Sequence, residues 1–175
     1  MGTTQIGGLS TAQIGALTTG DVLALGVGVG ALSTGAIAAL NTSAISALLP
    51  GQIAGLTSGQ VAALKTSQVA ALTTNQVVAI ETADISALST SAIVALRTDA
   101  VAALTTDQLV ALETRQIVAI ETRDIAVLST DQVVSLSTMQ FAALKSAQIN
   151  ALTTDQITAL ETADVAALSL SLIHI

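Results

Sequence analysis

The chain has 175 residues, 51% of them hydrophobic but only 1% aromatic, and it contains no cysteine. Twelve acidic against five basic residues give a formal charge of −7, which repels a nucleic-acid backbone, and the lack of Cys rules out disulfides and thiolate metal sites. A core of Ala, Leu, Ile and Val, with Phe141 the single aromatic, favours many small similar layers over one globular centre.

Met1 to Ser10 holds no basic residue and no continuous apolar core, so it does not read as a secretory signal. From Gly2 the chain runs in units of eight, the first Gly2–Leu9 and the last Glu161–Leu168; of 21 units, 20 are complete. The consensus is T-T-x-Q-[IV]-x-A-L. Position eight is Leu or Ile in all 21 units, and position five is apolar in all 20 complete ones, so these two form the expected core. Position seven is Ala in 17 units, with Gly8, Gly55, Val127 and Ser135 as exceptions, which implies close approach to a neighbouring backbone. Position two is Thr in 17 units, and position four is Gln in 12, Asp in four and Ala in four. All 17 charges fall at positions one, three and four, which places these positions on an edge facing water.

Residues 22–40 are uncharged within a longer uncharged run, 22–64. They carry four Gly together with Ser33 and Thr34 and keep their Leu in phase, so they read as repeats and not as a membrane span. The short unit Gly26–Leu32 lacks one residue and predicts a bend or loosened turn. Gly26, Gly28 and Gly30 do not make a phosphate loop, because no Lys follows and no strand-to-helix context exists. Residues 1–64 contain one charge, Asp21, against 16 from Lys65 to Asp164. Drift of the early repeats toward Gly and Ser accounts for this; the functional reading is a protein partner or self-association through these uncharged repeats or the open ends of the array.

One continuous helix is excluded, because eight residues advance the apolar face by about 80° per unit and the stripe would circle the helix. The helix must therefore break once per unit. Thr153 followed by Gln156 is a capping box, flanked by Leu152 and Ile157 as a hydrophobic staple. Pro50 suits a first helical position, and all eight Asp lie at positions three or four, near the positive helix end. Where position one is Glu, Lys or Arg, the Thr at position two is expected to take over capping. The fold class that follows is all-α: a solenoid of about 21 short, two-turn helices over residues 2–168, irregular at 26–32, each helix stable only through its neighbours. The alternative is a β-solenoid, favoured by Thr, Ile and Val but opposed by the position-seven Ala and by the scarcity of Gly, Asn or Pro at corners.

Further along, Glu113, Arg115, Glu121, Arg123 and Asp124 read as a solvated ion-pair face, with a docking patch as the rival. The recurring Asp lacks the Gly-rich spacing of calcium-binding repeats. Every polar residue recurs as a variant of a repeat position, so no unlike catalytic cluster exists; no enzyme, cofactor, metal or nucleic-acid role is expected. The final segment, 169–175, leaves the repeat. Leu170 to Ile175 can be encoded by CTG TCT CTT ATA CAC ATC, which resembles the adapter end of transposon-based sequencing libraries; the tail is expected to be an artefact and His174 to have no role.

Units such as Thr153–Leu160 and Thr105–Leu112 resemble the octapeptide arrays of very large bacterial surface or secreted proteins, often described as adhesins or haem-utilisation proteins. The resemblance covers residues 2–168 and implies a spacer or adhesive stalk at the cell surface or outside the cell. It implies no haem site, since no axial ligand exists within the array. Leu152–Leu160 also resembles the opening helix of a TAL-effector repeat, but the period of eight, the missing second helix and the acidic charge depart from that family. The function expected is a non-catalytic spacer or protein-interaction segment, with an ice- or carbohydrate-binding β-solenoid bearing a Thr ladder as the alternative.

Overall fold

The structure is a computed structural model and describes residues 8–160. Among these, all regular secondary structure is helical, 18 α-helices from Thr11–Gly15 to Thr154–Thr158 and one 3-10 helix, Gly26–Ala31. The solenoid is therefore all-α among the described residues, and the β-solenoid alternative is not the fold. The count of 21 α-helices is corrected: the short unit closes as a 3-10 helix, and the first and last units lie largely or wholly outside the described residues. The tail 169–175 and His174 also lie outside them.

The helices are shorter than two turns. They hold four to six residues, as in Thr82–Ile85 and Thr90–Ala95, which is about one to one and a half turns. Position eight leaves the helix with an extended ψ, 135° at Leu40 and 139° at Leu112, and the next position one is extended as well, with ψ 163° at Asn41 and 156° at Glu113; Leu25, before the short unit, stays helical with ψ −25°. Two consecutive extended residues turn the chain once per unit. This needs no left-handed residue, and the only positive φ among the described residues is at Gly26, 53°.

Position one is the N-cap of the α-helices. Where it is Ser, Thr or Asn, its side-chain oxygen accepts the N–H of position four, as Thr105 does from Gln108 at 3.1 Å. Pro50 occupies the first helical turn, and Asp21, Asp84, Asp99, Asp107, Asp124, Asp131 and Asp155 all sit in first turns. The expectation that Thr at position two caps in place of a charged residue is overturned. Lys65, Glu113 and Lys145 remain N-caps without a side-chain bond, and Thr66, Thr114 and Ser146 open their helices. The boundary holds because Gln68 Oε1 still accepts the Lys65 N–H at 2.8 Å, the half of the box that does not depend on the position-one side chain.

Positions five and eight form one continuous apolar core from Ile14 to Leu152. Position four joins it, contrary to its assignment to the water-facing edge: Gln116 is 0% and Asp124 2% exposed, and Ala36, Ala44, Ala92 and Ala100 are buried. Among the described residues, the charges at positions one and three lie on the solvated rim, joined at position four by exposed Asp21 and half-buried Asp84. Residues 22–40 are divided among Thr19–Ala24, Gly26–Ala31 and Thr34–Ala39, and no helix among the described residues is long and apolar enough to cross a membrane.

Each helix packs on the one three elements along the chain, so the units wind into a coil. Its register is fixed by glutamine. Gln68 Nε2 donates to the carbonyls of Leu40 and Ile37, both at 2.8 Å, which are 28 and 31 residues earlier. These bonds join position four of one unit to positions eight and five of the unit four earlier, while the helices themselves stack on those three elements earlier. Where Ala44 stands at position four, Asn41 at position one supplies the amide, donating to the Leu17 and Gly15 carbonyls at 3.3 Å. The short unit makes the tightest approach: a Cβ on Gly30 would lie 2.5 Å from the Gly55 carbonyl oxygen.

Candidate functional site

The feature that recurs with the most specific chemistry is the glutamine ladder. A short helix ends with carbonyls that lack an intrahelical donor, and these ends are buried between turns of the coil, where an unmade bond is costly. The position-four amide meets both ends of this demand. Gln116 Oε1 accepts the Glu113 N–H at 2.7 Å, while its Nε2 donates to Leu88 and Ser86 carbonyls at 2.7 and 3.0 Å. Gln52, Gln60, Gln76, Gln108, Gln132, Gln140, Gln148 and Gln156 repeat the arrangement. The buried side-chain polar atoms among the described residues all have partners.

Aspartate at position four is one methylene shorter and bridges differently. Asp124 Oδ1 accepts the Thr98 hydroxyl at 2.6 Å, and Asp84 accepts that of Ser58, in each case from position two of the unit three earlier. Asp21, on the first described turn, instead closes its own cap, accepting the Thr18 N–H and hydroxyl at 2.9 and 2.6 Å. Those two bonds hold its carboxyl below the ordinary range.

The residues considered as a docking patch divide into local pairs. Arg115 contacts Glu113 at 2.6 Å, Arg123 contacts Glu121, and Arg123 reaches Asp124 at 3.7 Å. Arg97 meets Asp99 through two bonds of 3.0 Å, which lowers the carboxyl and raises the guanidinium from their ordinary values. The Arg115–Glu113, Arg123–Glu121 and Arg97–Asp99 pairs are exposed, with Arg115 at 68%, so each contributes little to stability, whereas Asp124 is buried. Among the described residues, no three His, Cys, Asp or Glu come together in a way that could hold a metal ion.

Two surface depressions are copies of one furrow. One, about 680 Å³, lies among Val94, Val118, Glu121, Arg123 and Lys145; the other, about 380 Å³, lies among Ala54, Val78, Glu81 and Thr105. Val94, Val118, Glu121 and Lys145 correspond to Ala54, Val78, Glu81 and Thr105 five units earlier. The furrow is a consequence of coil geometry and not a singular cleft. The ladder escaped sequence reasoning because the capping box already explains a Gln at position four. One signal pointed to it: Gln persists after Leu49, Lys65, Glu113 and Lys145, where a reciprocal box cannot form.

Fold and ladder together define a helical solenoid of octapeptide repeats, each helix stacked on the one three elements earlier. The chain belongs to the ALTTAQ repeat family, whose model matches at residues 1–27, 29–58, 50–79, 77–114, 117–154 and 142–170. No curated protein matches it.

Proposed function

We propose that this chain is a non-catalytic spacer or protein-interaction segment of a larger bacterial surface or secreted protein. The observation that carries the reading is the glutamine ladder: the most elaborate polar chemistry among the described residues is spent inward, joining one turn of coil to the next. A spacer needs a length set by unit number and a surface without singular demands, and the rim of short-range ion pairs and copied furrows meets both. The octapeptide pattern, similar to arrays in adhesin-like proteins, supports the extracellular setting.

Small-angle scattering tests the spacer reading. Deleting the seven units that span residues 65–120 should shorten the particle at constant cross-section and leave its helical circular dichroism per residue unchanged. A chain that keeps its length, or collapses to a sphere, would overturn it. Antibody against the folded chain should label intact cells of the source organism; labelling only after lysis would overturn the surface assignment.

A further inference from the structure

The glutamine ladder is interrupted in the middle of the coil. Position four is glutamine at Gln52, Gln60, Gln68 and Gln76, each bridging to an earlier turn, and the bridges resume at Gln108. In the three successive units between, Asp84, Ala92 and Ala100 stand instead. On the 28-residue spacing of the ladder, these units face the Leu56, Leu64 and Leu72 carbonyls, and among the described residues no hydrogen bond reaches any of the three. Each helix stacks on the one three elements earlier. A gap of three units therefore spans the whole interval between a helix and its neighbour in the stack.

No other side chain takes over the missing amides. Position one does so where Asn41 precedes Ala44, but Ser89 already accepts the Ala92 N–H at 3.1 Å, and Arg97 is turned to Asp99 on the rim through two bonds of 3.0 Å. Asp84 accepts the Ser58 hydroxyl at an exposed edge of the junction. What remains is apolar: Ile85, Ile93 and Val101, with Ala92 and Ala100, all buried. Apolar contact is non-directional, so it holds two turns together without fixing one against the other. A bridging amide does fix them, and separating a bridged junction leaves its buried polar groups to be satisfied anew.

We propose that this gap is a hinge in the coil. The helices Thr82–Ile85, Thr90–Ala95 and Thr98–Ala103 part from Ser58–Ala62, Thr66–Ala70 and Thr74–Val78, on which they stack, more readily than glutamine-bridged helices part from theirs. The hinge is closed at rest, since Ala92 and Ala100 are each 1% exposed. It gives a spacer one internal place to bend, and only that use rests on the spacer reading.

Native-state hydrogen exchange on the full 175-residue chain tests it. Helices this short do not outlast the loss of a neighbour, so opening is read at the position-five amides, each bonded to the position-one carbonyl of its own unit. Ile85, Ile93 and Val101 report on the gap, and Val133 and Phe141 on the junction bridged by Gln132 and Gln140. The gap amides should exchange about tenfold or more faster than the bridged ones. Gln132→Ala combined with Gln140→Ala should bring Val133 and Phe141 toward the rate of the gap, and Ala92→Gln combined with Ala100→Gln should slow Ile93 and Val101. Circular dichroism verifies that each variant folds, and the unmodified chain decides alone if either does not. Equal or slower exchange in the gap, or unmoved rates in the folded Gln132 and Gln140 variant, would overturn the hinge while leaving the spacer reading to its own scattering test.

Discussion

Gln116 makes three bonds through one side chain, and the groups it serves are buried. Gln116→Ala leaves the Leu88 and Ser86 carbonyls without that donor and should cost about 1–3 kcal/mol. Gln116→Glu should cost more at neutral pH, because it keeps the acceptor for Glu113 N–H but sets an anion against two carbonyl oxygens. Arg115→Ala, one residue away on the rim, should cost less than about 0.5 kcal/mol. Urea titrations of the three variants would rank them; equal costs for Gln116→Ala and Arg115→Ala would show the ladder contributes nothing. Acid acts on the exposed caps. Asp21 and Asp99 both have lowered folded values, so their contribution is present above the unfolded carboxylate range and is lost as pH falls through the folded one. Helicity should fall slightly on acidification, and Asp21→Asn should remove part of that dependence.

At the scale of one element, a helix of five residues cannot persist alone, so its ends decide where it begins and its neighbours decide whether it exists. Thr73 accepts the Gln76 N–H at 3.3 Å, and Thr73→Ala should cost about 1 kcal/mol. Glu113→Ala should cost far less, since the Glu113 side chain makes no capping bond. Thermal unfolding of the pair would check this, and equal shifts would contradict the cap assignment. The period of eight, the core at positions five and eight, the cap at position one and Pro50 at a helix start were legible in the sequence, because each follows from contacts within one unit. What was not legible depends on distant residues. The acceptor of Gln68 lies 28 residues away, and no local pattern distinguishes a capping Gln from one that also bridges. The burial of Asp124 was misread for the same reason, its Thr98 partner being 26 residues earlier.

Across the whole molecule, stability is a sum over junctions between successive turns, not a property of a single centre. Ile117 is fully buried at position five, and Ile117→Ala should leave a cavity costing about 2–5 kcal/mol. Its damage should spread along the coil and not along the chain. Amide protection should fall in the units that share its junctions, one turn before and after, including Gln148, which donates to the Ile117 carbonyl at 3.0 Å, while residues 34–48 keep their protection. Hydrogen exchange read residue by residue would check it, and uniform loss along the array would mean one cooperative globule.

The stacking of each helix on the one three elements earlier also governs how such an array can change in length. Adding or removing one octad keeps the core residues at positions five and eight but re-pairs the ladder, since position four is Gln in some units and Ala or Asp in others. It also rotates everything downstream about the coil axis, because one unit is only part of a turn. Slippage in a repetitive gene would thus preserve the core while re-aiming whatever is attached beyond the array, exposing orientation to selection.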